Sequence, residues 1–272
     1  MKIVLMTGLT GTLGPKVAAQ FRHRGWKVIE WNHHKVPPED EEQSEQFWQS
    51  LRVDAVCHLA MGSEEWAGWL AQRCAWRDIP YLFVSTAMVF DSKENGPYGI
   101  FHVRNAEDAY GQYKIRCEDA IWKVNPNAMI ARIGWQLHDD GTGNNMLAYL
   151  DKQNREHGSI SASVGWYPAT SHMDDTAIAF LQLLERNEAG LYHLDSNAGE
   201  GWNFFQLACA LKAHYQKDWR VIPSNDYHHD QRLLDERLAL PPLSARFSFQ
   251  ASAHGVDCPA THRESPNNRV TG

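Results

Sequence analysis

A glycine-rich segment near the start of the chain constrains its fold more than any other feature. The apolar run Ile3-Val4-Leu5-Met6 is followed directly by Thr7-Gly8-Leu9-Thr10-Gly11-Thr12-Leu13-Gly14. Glycines between a strand and a helix let the backbone approach a phosphate, and the helix N-terminus adds free N–H groups and a partial positive charge. At the start of a βαβ unit, this spacing predicts a dinucleotide-binding turn. Its expected cofactor-binding residues are Gly8, Thr10, Gly11, Thr12, Leu13 and Gly14.

Short apolar runs alternate with amphipathic stretches, a pattern typical of a parallel sheet covered by helices. The expected strands are 2–7, 26–31, 54–60, 81–85, 128–133 and 191–194, and the expected helices are 12–24, 39–51, 64–77, 107–124, 146–155, 174–186 (capped by Asp174) and 202–215. We therefore predict a Rossmann-type, doubly wound α/β fold. Its expected parts are a dinucleotide-binding domain (1–140, to which the chain later returns), a smaller substrate-binding lobe (141–247) and a disordered tail (248–272).

Composition excludes several classes of function. The net charge of −7 disfavours a nucleic-acid partner. No apolar stretch approaches the roughly 18 residues of a membrane span, and no signal peptide precedes the first strand, so we expect a cytoplasmic protein. The five cysteines form no CxxC pair, and the histidine pairs His33-His34 and His228-His229 lack metal-ligand spacing. We therefore expect reduced thiols, surface histidines and no metal site.

The end of the second strand bears on the choice of cofactor. Dinucleotide-binding folds usually place an acid there to bind the adenosine ribose hydroxyls. Asn32 stands at that position, followed by His33, His34 and Lys35. Losing a carboxylate and gaining cations favours a 2′-phosphate, so NADP(H) is preferred over NAD(H). Glu30 remains an alternative ribose ligand, which keeps NAD(H) open. Leu59 and Ala60, at the end of the third strand, complete the predicted cofactor site.

A second group of residues predicts proton transfer. Tyr110 and Lys114 lie four residues apart on an expected helix and share one face. A neighbouring ammonium and an oxidised nicotinamide should lower the pKa of the phenol and allow it to act as an acid–base group. Thr86, at the end of an apolar strand, supplies a hydroxyl that can hold a substrate carbonyl. Tyr113 is a competing phenol without a lysine at the same spacing.

Together these motifs resemble those of the extended short-chain dehydrogenase/reductases, and within them the dTDP-4-dehydrorhamnose reductase branch. The similarity spans about residues 1–247 and is carried by a list of segments: TGxxGxxG, Ser85-Thr86-Ala87-Met88-Val89-Phe90-Asp91, Pro97-Tyr98, YxxxK, Arg132-Ile133-Gly134-Trp135, Asn145, Val164–Thr170, Gly190–Leu194 and Gln231–Asp235. The resemblance implies that Thr86, Tyr110 and Lys114 are catalytic and that Lys114 also binds the nicotinamide ribose. It further implies substrate binding by Thr86, Ala87, Tyr110, Trp135, Asn145 and Thr170.

The chain also departs from that family. Ala87 and Met88 replace the usual Asp-Tyr, Ile100 and His102 replace Glu and Asp, and the segment from Ala60 to Ser85 is shorter by about one helix. The resemblance implies an NAD(P)H-dependent reductase of a keto group on a sugar nucleotide or related carbonyl compound. The alternatives are a non-catalytic NAD(P)-binding regulatory or scaffold protein and a sugar-nucleotide epimerase. A homodimer is left open.

Overall fold

Strands and helices alternate through most of the part of the chain that the computed structural model describes, residues 1–248. The strands are β1 (Ile3–Thr7), β2 (Lys27–Trp31), β3 (Ala55–His58), β4 (Tyr81–Thr86), β5 (Tyr98–Gly99), β6 (Met129–Ile133), β7 (Trp135–Leu137), β8 (Ile160–Ser163), β9 (Trp166–Tyr167), β10 (Thr170–His172), β11 (Gly190–Leu194), β12 (Val221–Ser224), β13 (His229–Asp230) and β14 (Leu233–Leu234). The helices are α1 (Gly14–His23), α2 (Glu41–Ser50), α3 (Glu64–Arg77), α4 (Ala109–Val124), α5 (Met146–His157), α6 (Met173–Arg186) and α7 (Phe204–His214).

Six of these strands form a central parallel sheet in the order β2-β1-β3-β4-β6-β11. Successive side chains of a strand point to opposite faces, so both faces of a covered sheet need apolar residues. In β1, Val4 and Met6 join the core formed with α1 and α6, whereas Leu5 joins the core formed with α2, α3 and α4. The predicted Rossmann-type doubly wound fold is confirmed.

The smaller lobe is built from short parallel strand pairs and two helices. β8 pairs with β12, β9 with β13, and β5 with β14. A separate apolar core joins α5, α7 and β8. The chain returns to the central sheet with β11, and α6 packs against α1. Residues 173–194, which the predicted division counts within 141–247, pack with the central sheet and form the return of the chain to the larger unit. The expected tail lies outside the described residues, except for Ser248.

Most predicted elements are present, with small differences at their ends. The predicted cap of α6 was wrong: the helix begins at Met173, and the ring Nδ1 of His172 accepts a hydrogen bond from the Asp174 N–H at 3.3 Å. Asp174 instead lies in the first turn, where a carboxylate is favoured by the helix dipole. Cys57, Cys74, Cys117 and Cys209 are buried, and none of them forms a disulfide within residues 1–248; Cys258 lies outside the described residues. No helix among residues 1–248 has the length and apolar character needed to cross a membrane.

The prediction that His229 is a surface histidine was also wrong. It is 2% exposed, and its ring nitrogens contact the hydroxyls of Tyr98 at 2.8 Å and Tyr227 at 3.0 Å. The sequence pair His228-His229 lies where β13 begins, so alternation along the strand turns only one of the two side chains inward.

A buried ion pair joins α4 to the sheet. The Glu118 carboxylate accepts hydrogen bonds from Arg132 Nε at 2.9 Å and Nη2 at 2.6 Å, and from Ser85 Oγ at 2.5 Å. Burial opposes the charge on Glu118, but Arg132, Ser85 and Arg104 together outweigh that effect and lower the pKa of the carboxyl group. Arg132 is 2% exposed, so its guanidinium depends on this partner.

Replacing Glu118 with alanine should strongly destabilise the protein. Removing one partner of a buried pair leaves an uncompensated charge, which costs about 3–5 kcal/mol of unfolding free energy. Chemical denaturation provides the measurement. Asp119→Ala is the matched control, because the exposed Asp119 carboxylate pairs with Arg104 at 2.7 Å from the same helix and such pairs contribute about 0–1 kcal/mol. Equal losses in both variants would contradict the assigned role of Glu118.

Candidate active site

The glycine turn between β1 and α1 is closed by backbone contacts that exclude side chains. Gly8 has φ of +70°, and a Cβ on it would lie 2.8 Å from the Ala60 nitrogen. A Cβ on Gly14 would lie 2.3 Å from the Gly8 carbonyl oxygen. The Gly11 N–H donates to that same oxygen at 3.1 Å. The turn therefore leaves an open backbone cradle at the sheet's carboxyl edge, with Gly11 exposed.

The other predicted cofactor residues lie next to this turn. Thr7 Oγ1 accepts hydrogen bonds from the N–H groups of Leu59 at 3.1 Å and Ala60 at 3.0 Å, which ties the end of β3 to the turn. At the end of the neighbouring β2, Asn32 Oδ1 accepts from the His34 N–H at 3.0 Å. His33 and His34 are exposed with ring centroids 3.9 Å apart. Both groups therefore border the carboxyl end of β1, where the cofactor is expected.

Thr86, Tyr110 and Lys114 meet at the same edge of the sheet. Thr86 ends β4, and its Oγ1 accepts from the Met88 N–H at 3.2 Å. Asp108 caps α4 through bonds from the N–H groups of Tyr110 and Gly111 to its Oδ1, and so fixes Tyr110 in the first turn. One turn later, Lys114 is buried, and its Nζ donates to the Val84 carbonyl at 2.8 Å.

In the protein alone, burial dominates the electrostatics of this group. Burial raises the pKa of Tyr110, and hydrogen bonding to Thr86 offsets only part of that rise. The predicted lowering, which requires the oxidised nicotinamide as well as Lys114, therefore has no counterpart in the protein alone and stays a prediction for the complex. Burial also lowers the pKa of Lys114 to about 8, and its Nζ lies 6.0 Å from the Tyr110 ring centroid. Tyr110 is thus a protonated phenol at neutral pH, with its side chain partly open to solvent.

The hydroxyl of Tyr113 makes a structural hydrogen bond. Its hydroxyl accepts a hydrogen bond from the Gly62 N–H at 3.2 Å, at the start of the connection into α3. Burial raises the pKa of its phenol well above the usual range. The Tyr110 hydroxyl, by contrast, lies beside Thr86.

Of the residues predicted to bind substrate, some lie beside Thr86 or in an aromatic cluster, and others are buried in the scaffold. Ala87 follows Thr86 and is buried, and Trp135 is half-buried in an aromatic cluster with Trp166 and Phe204. Asn145 and Thr170 differ from the prediction, because both are fully buried and bonded within the scaffold.

These two side chains hold the backbone around β7. The Asn145 carbonyl caps α5 by accepting from the Leu147 N–H at 3.0 Å, and its amide donates to the His138 carbonyl at 2.8 Å. The Thr170 hydroxyl donates to the Trp135 carbonyl at 2.7 Å. Because their polar atoms are bonded within the protein, these two side chains support the backbone of the site and do not line its surface.

Sequence reasoning missed a loop that covers the glycine turn. Lys16 Nζ lies 2.7 Å from Asp140 Oδ2, and the Asn144 N–H donates to Thr12 Oγ1 at 3.0 Å. These bonds connect residues more than a hundred positions apart. The run Gly141-Thr142-Gly143-Asn144 reads as a loop in the sequence, but nothing in it indicates its partner.

A glycine turn opening a parallel sheet, with Thr, Tyr and Lys gathered at the same carboxyl edge, defines a dinucleotide-binding fold of the short-chain dehydrogenase/reductase type. Residues 63–232 match the family model described as the RmlD substrate binding domain. The chain belongs to this family, and the family resemblance seen in the sequence is confirmed.

Individual relatives are distant but cover most of the chain. It is 25% identical to a dTDP-4-dehydrorhamnose reductase of Mycolicibacterium smegmatis over 91% of this chain and 80% of the relative. It is 24% identical to methionine adenosyltransferase 2 subunit beta of Xenopus laevis over 88% of this chain and 77% of the relative. Among solved structures, dTDP-4-dehydrorhamnose reductase from Bacillus anthracis in complex with NADP superposes with a TM-score of 0.77 and 17% identity, covering 89% of this chain and 95% of the other. That likeness shows the fold.

The buried lysine predicts a pH dependence of stability. Because the pKa of Lys114 is about 8 in the folded chain and about 10.4 in an unfolded one, the folded state releases its proton first. The unfolding free energy should therefore rise as pH increases between these values, by on the order of 2–3 kcal/mol. The wild type and Lys114→Met should be denatured at about pH 7.5, 9 and 10, which cover most of the range between the folded and unfolded pKa values of Lys114. The gain in unfolding free energy should be seen only in the wild type. A gain of the same size in Lys114→Met would assign it to other groups.

Proposed function

We propose that the protein is an NADP(H)-dependent reductase of a keto group on a nucleotide sugar. The observation that carries this proposal is the convergence of Thr86, Tyr110 and Lys114 at the sheet edge that also bears the glycine turn. Family membership and the names of the reductase relatives support it. A cytoplasmic location and the absence of a nucleic-acid partner belong to the same proposal, which leaves a homodimer open.

The glycine turn fits a dinucleotide. A Cβ at Gly8 or Gly14 would collide with backbone, so the sequence keeps this cradle free of side chains. The backbone around Gly11 and the N-terminus of α1 would hold the pyrophosphate, and the segment from Asn32 to His34 would face the adenosine ribose. The cofactor, when bound, supplies the hydride.

Tyr110 has the properties of the proton donor. Its raised pKa keeps the phenol protonated at neutral pH, as a reduction requires when the carbonyl oxygen gains negative charge. The Thr86 hydroxyl would hold that oxygen beside the phenol. Lys114, fixed through the Val84 carbonyl, would place a positive charge near the phenolate that forms and would bind the nicotinamide ribose.

The substrate pocket differs from that expected for the family at two positions next to the catalytic threonine. Ala87 is buried, whereas Met88 is 40% exposed beside the site. A thioether and a methyl group cannot replace the hydrogen bonds of an Asp-Tyr pair. We therefore propose a 4-keto nucleotide sugar as the substrate class, with a less polar sugar ring than the family pattern implies.

Tyr110→Phe should abolish most of the reductase activity while leaving the fold intact. Loss of a general acid typically reduces turnover about 10²–10⁴-fold. The measurement is the decrease in NADPH absorbance with dTDP-4-dehydrorhamnose and a panel of other 4-keto nucleotide sugars, together with NADPH binding and thermal unfolding.

Tyr113→Phe is the matched control from the same helix turn. It removes the hydroxyl that accepts from the Gly62 N–H, so it should lower stability and leave the turnover rate close to that of the wild type. Unchanged turnover in Tyr110→Phe, or an equal loss in both variants, would overturn the assignment of Tyr110.

The cofactor preference has its own test. A double variant of His33→Ala and His34→Ala removes two exposed ring donors at the end of β2. NADPH affinity should fall about tenfold, equivalent to about 1.4 kcal/mol, whereas NADH affinity should stay the same because NADH lacks the 2′-phosphate. Fluorescence titration with both cofactors provides the measurement. An equal loss for both would remove the argument for a phosphate-binding role.

One comparison favours a second candidate, a non-catalytic NADP(H)-binding subunit. The Xenopus laevis relative is named as a subunit of methionine adenosyltransferase 2, and it matches this chain over a similar length as the reductases do. Tight NADPH binding without turnover on any 4-keto nucleotide sugar would favour this candidate. The complete set of Thr86, Tyr110 and Lys114 favours the enzyme.

A further inference from the structure

Two histidines and an aspartate meet at the end of a short strand pair outside the catalytic group. His138 follows β7, and His172 ends its parallel partner β10. Asp174 lies in the first turn of α6, directly after β10. One ligand atom from each of the three side chains lies within 4.8 Å of the other two. We call His138, His172 and Asp174 the histidine–aspartate cluster.

His172 supplies an independent indication that a ligand belongs here. Its side chain is 2% exposed, and its Nε2 has no hydrogen-bond partner in the described structure. A buried polar atom left unpaired is costly, and native proteins pair nearly all of them. The carboxylate oxygen Oδ1 of Asp139 lies 3.5 Å from this Nε2. The unpaired atom is therefore aimed at a space bordered by carboxylates.

Local backbone bonds orient both rings. His138 Nδ1 accepts from the Asp140 N–H at 3.2 Å, and His172 Nδ1 accepts from the Asp174 N–H at 3.3 Å. With Nδ1 held in this way, His138 Nε2 lies 3.7 Å from Asp174 Oδ1 and His172 Nε2 lies 3.5 Å from Asp139 Oδ1.

Each Nδ1 also has a carboxylate oxygen in reach. Asp140 Oδ2 lies 3.3 Å from His138 Nδ1, and Asp174 Oδ2 lies 3.7 Å from His172 Nδ1. When a metal takes the Nε2 lone pair, the ring proton moves to Nδ1, which then no longer accepts from the backbone N–H and donates to this carboxylate instead. Carboxylates that receive this proton are the usual outer partners of metal-binding histidines.

We propose that the histidine–aspartate cluster binds one divalent cation of the zinc class. His138 Nε2, His172 Nε2 and an Asp174 carboxylate oxygen would be its ligands, and Asp139 would supply the fourth. Two imidazoles with carboxylates suit Zn²⁺, which prefers four tetrahedral N and O ligands at about 2.0–2.2 Å. Magnesium, which prefers oxygen ligands and retains water, suits the site poorly.

The surrounding charges agree with a cation at this position. Lys16 pairs with Asp140 at 2.7 Å, and Arg246 pairs with Asp175 at 2.7 Å, so these two carboxylates are already neutralised. Asp139 and Asp174 have no lysine or arginine within ion-pair distance among residues 1–248, although the more distant charge of Arg246 acts on both, and Asp139 Oδ1 accepts from the Tyr215 hydroxyl at 2.5 Å.

Titration of the full chain with zinc chloride tests the proposal. Calorimetry should show one saturable site, and Co²⁺ in its place should give the intense visible absorption of a tetrahedral complex. Asp174→Asn and His138→Ala should each weaken zinc binding at least tenfold, the size expected when a ligand or its support is lost. Magnesium chloride should not compete. Thermal unfolding without metal checks that both variants fold.

Other histidines and a cysteine require matched controls. His33→Ala with His34→Ala removes an exposed histidine pair, and His254→Ala, Cys258→Ser and His262→Ala together remove the histidine and cysteine side chains of residues 249–272. Both sets should retain the saturable site. No saturable binding by the wild type, binding lost only in a control set, or wild-type affinity in both His138→Ala and Asp174→Asn would overturn the proposal.

Discussion

Two charged side chains buried one turn apart on α4 determine where the site's groups lie. Lys114 donates to the Val84 carbonyl of β4, and Glu118 joins Ser85 of β4 to Arg132 of β6. Their polar contacts lie on consecutive residues of one strand, directly before Thr86. Buried ion pairs seldom add much net stability, because desolvation offsets their attraction. Their value here is positional: sliding α4 along the sheet would leave two buried charges unpaired. Thr86 and Tyr110 are therefore brought to the same place by Glu118, which has no role in the proposed chemistry, and by Lys114, which also has a chemical role there.

Much of the fold and part of the site could be predicted from the sequence, because both depend on the spacing of residues that are close together in the chain. The buried strand β1 and the glycines after it identify the first βαβ unit, since only glycine tolerates the backbone contacts at Gly8 and Gly14. Tyr110 and Lys114 share a face by helical spacing alone. In a parallel sheet the ends of β1 and β4 meet at one edge, so Thr86 could be placed as well.

The remaining features depend on burial and on contacts between distant segments. Asn145 and Thr170 were expected to meet substrate, but the packing of β7 against β10 buries both and uses their polar atoms in the scaffold. The pKa of Tyr110 was expected to fall beside Lys114 and an oxidised nicotinamide, and in the protein alone it rises because the desolvation of the phenol exceeds any nearby stabilisation of its anion. Neither effect has a signature in spacing, since a residue's exposure is decided by elements far from it in the chain. His229 illustrates the same limit.

The loop of residues 138–145 joins features that the sequence keeps separate. It begins at His138 beside His172, carries Asp140 to Lys16 on α1, and ends where the Asn144 N–H meets Thr12 in the glycine turn. A cation held at its first residue would limit the positions that its later residues can take, because Asn145 fixes the other end as the cap of α5. The conformation of this loop and that of the glycine turn are then coupled through two bonds, the ion pair of Asp140 with Lys16 and the neutral hydrogen bond from Asn144 to Thr12. The ionic bond is partly exposed and so weakened by salt, whereas the bond to Thr12 Oγ1 is neutral, and the close approach of Gly143 leaves no room for a side chain beside it. A substitution at Thr12 would therefore disturb both the turn and its cover, although the residue lies far from the catalytic group in sequence.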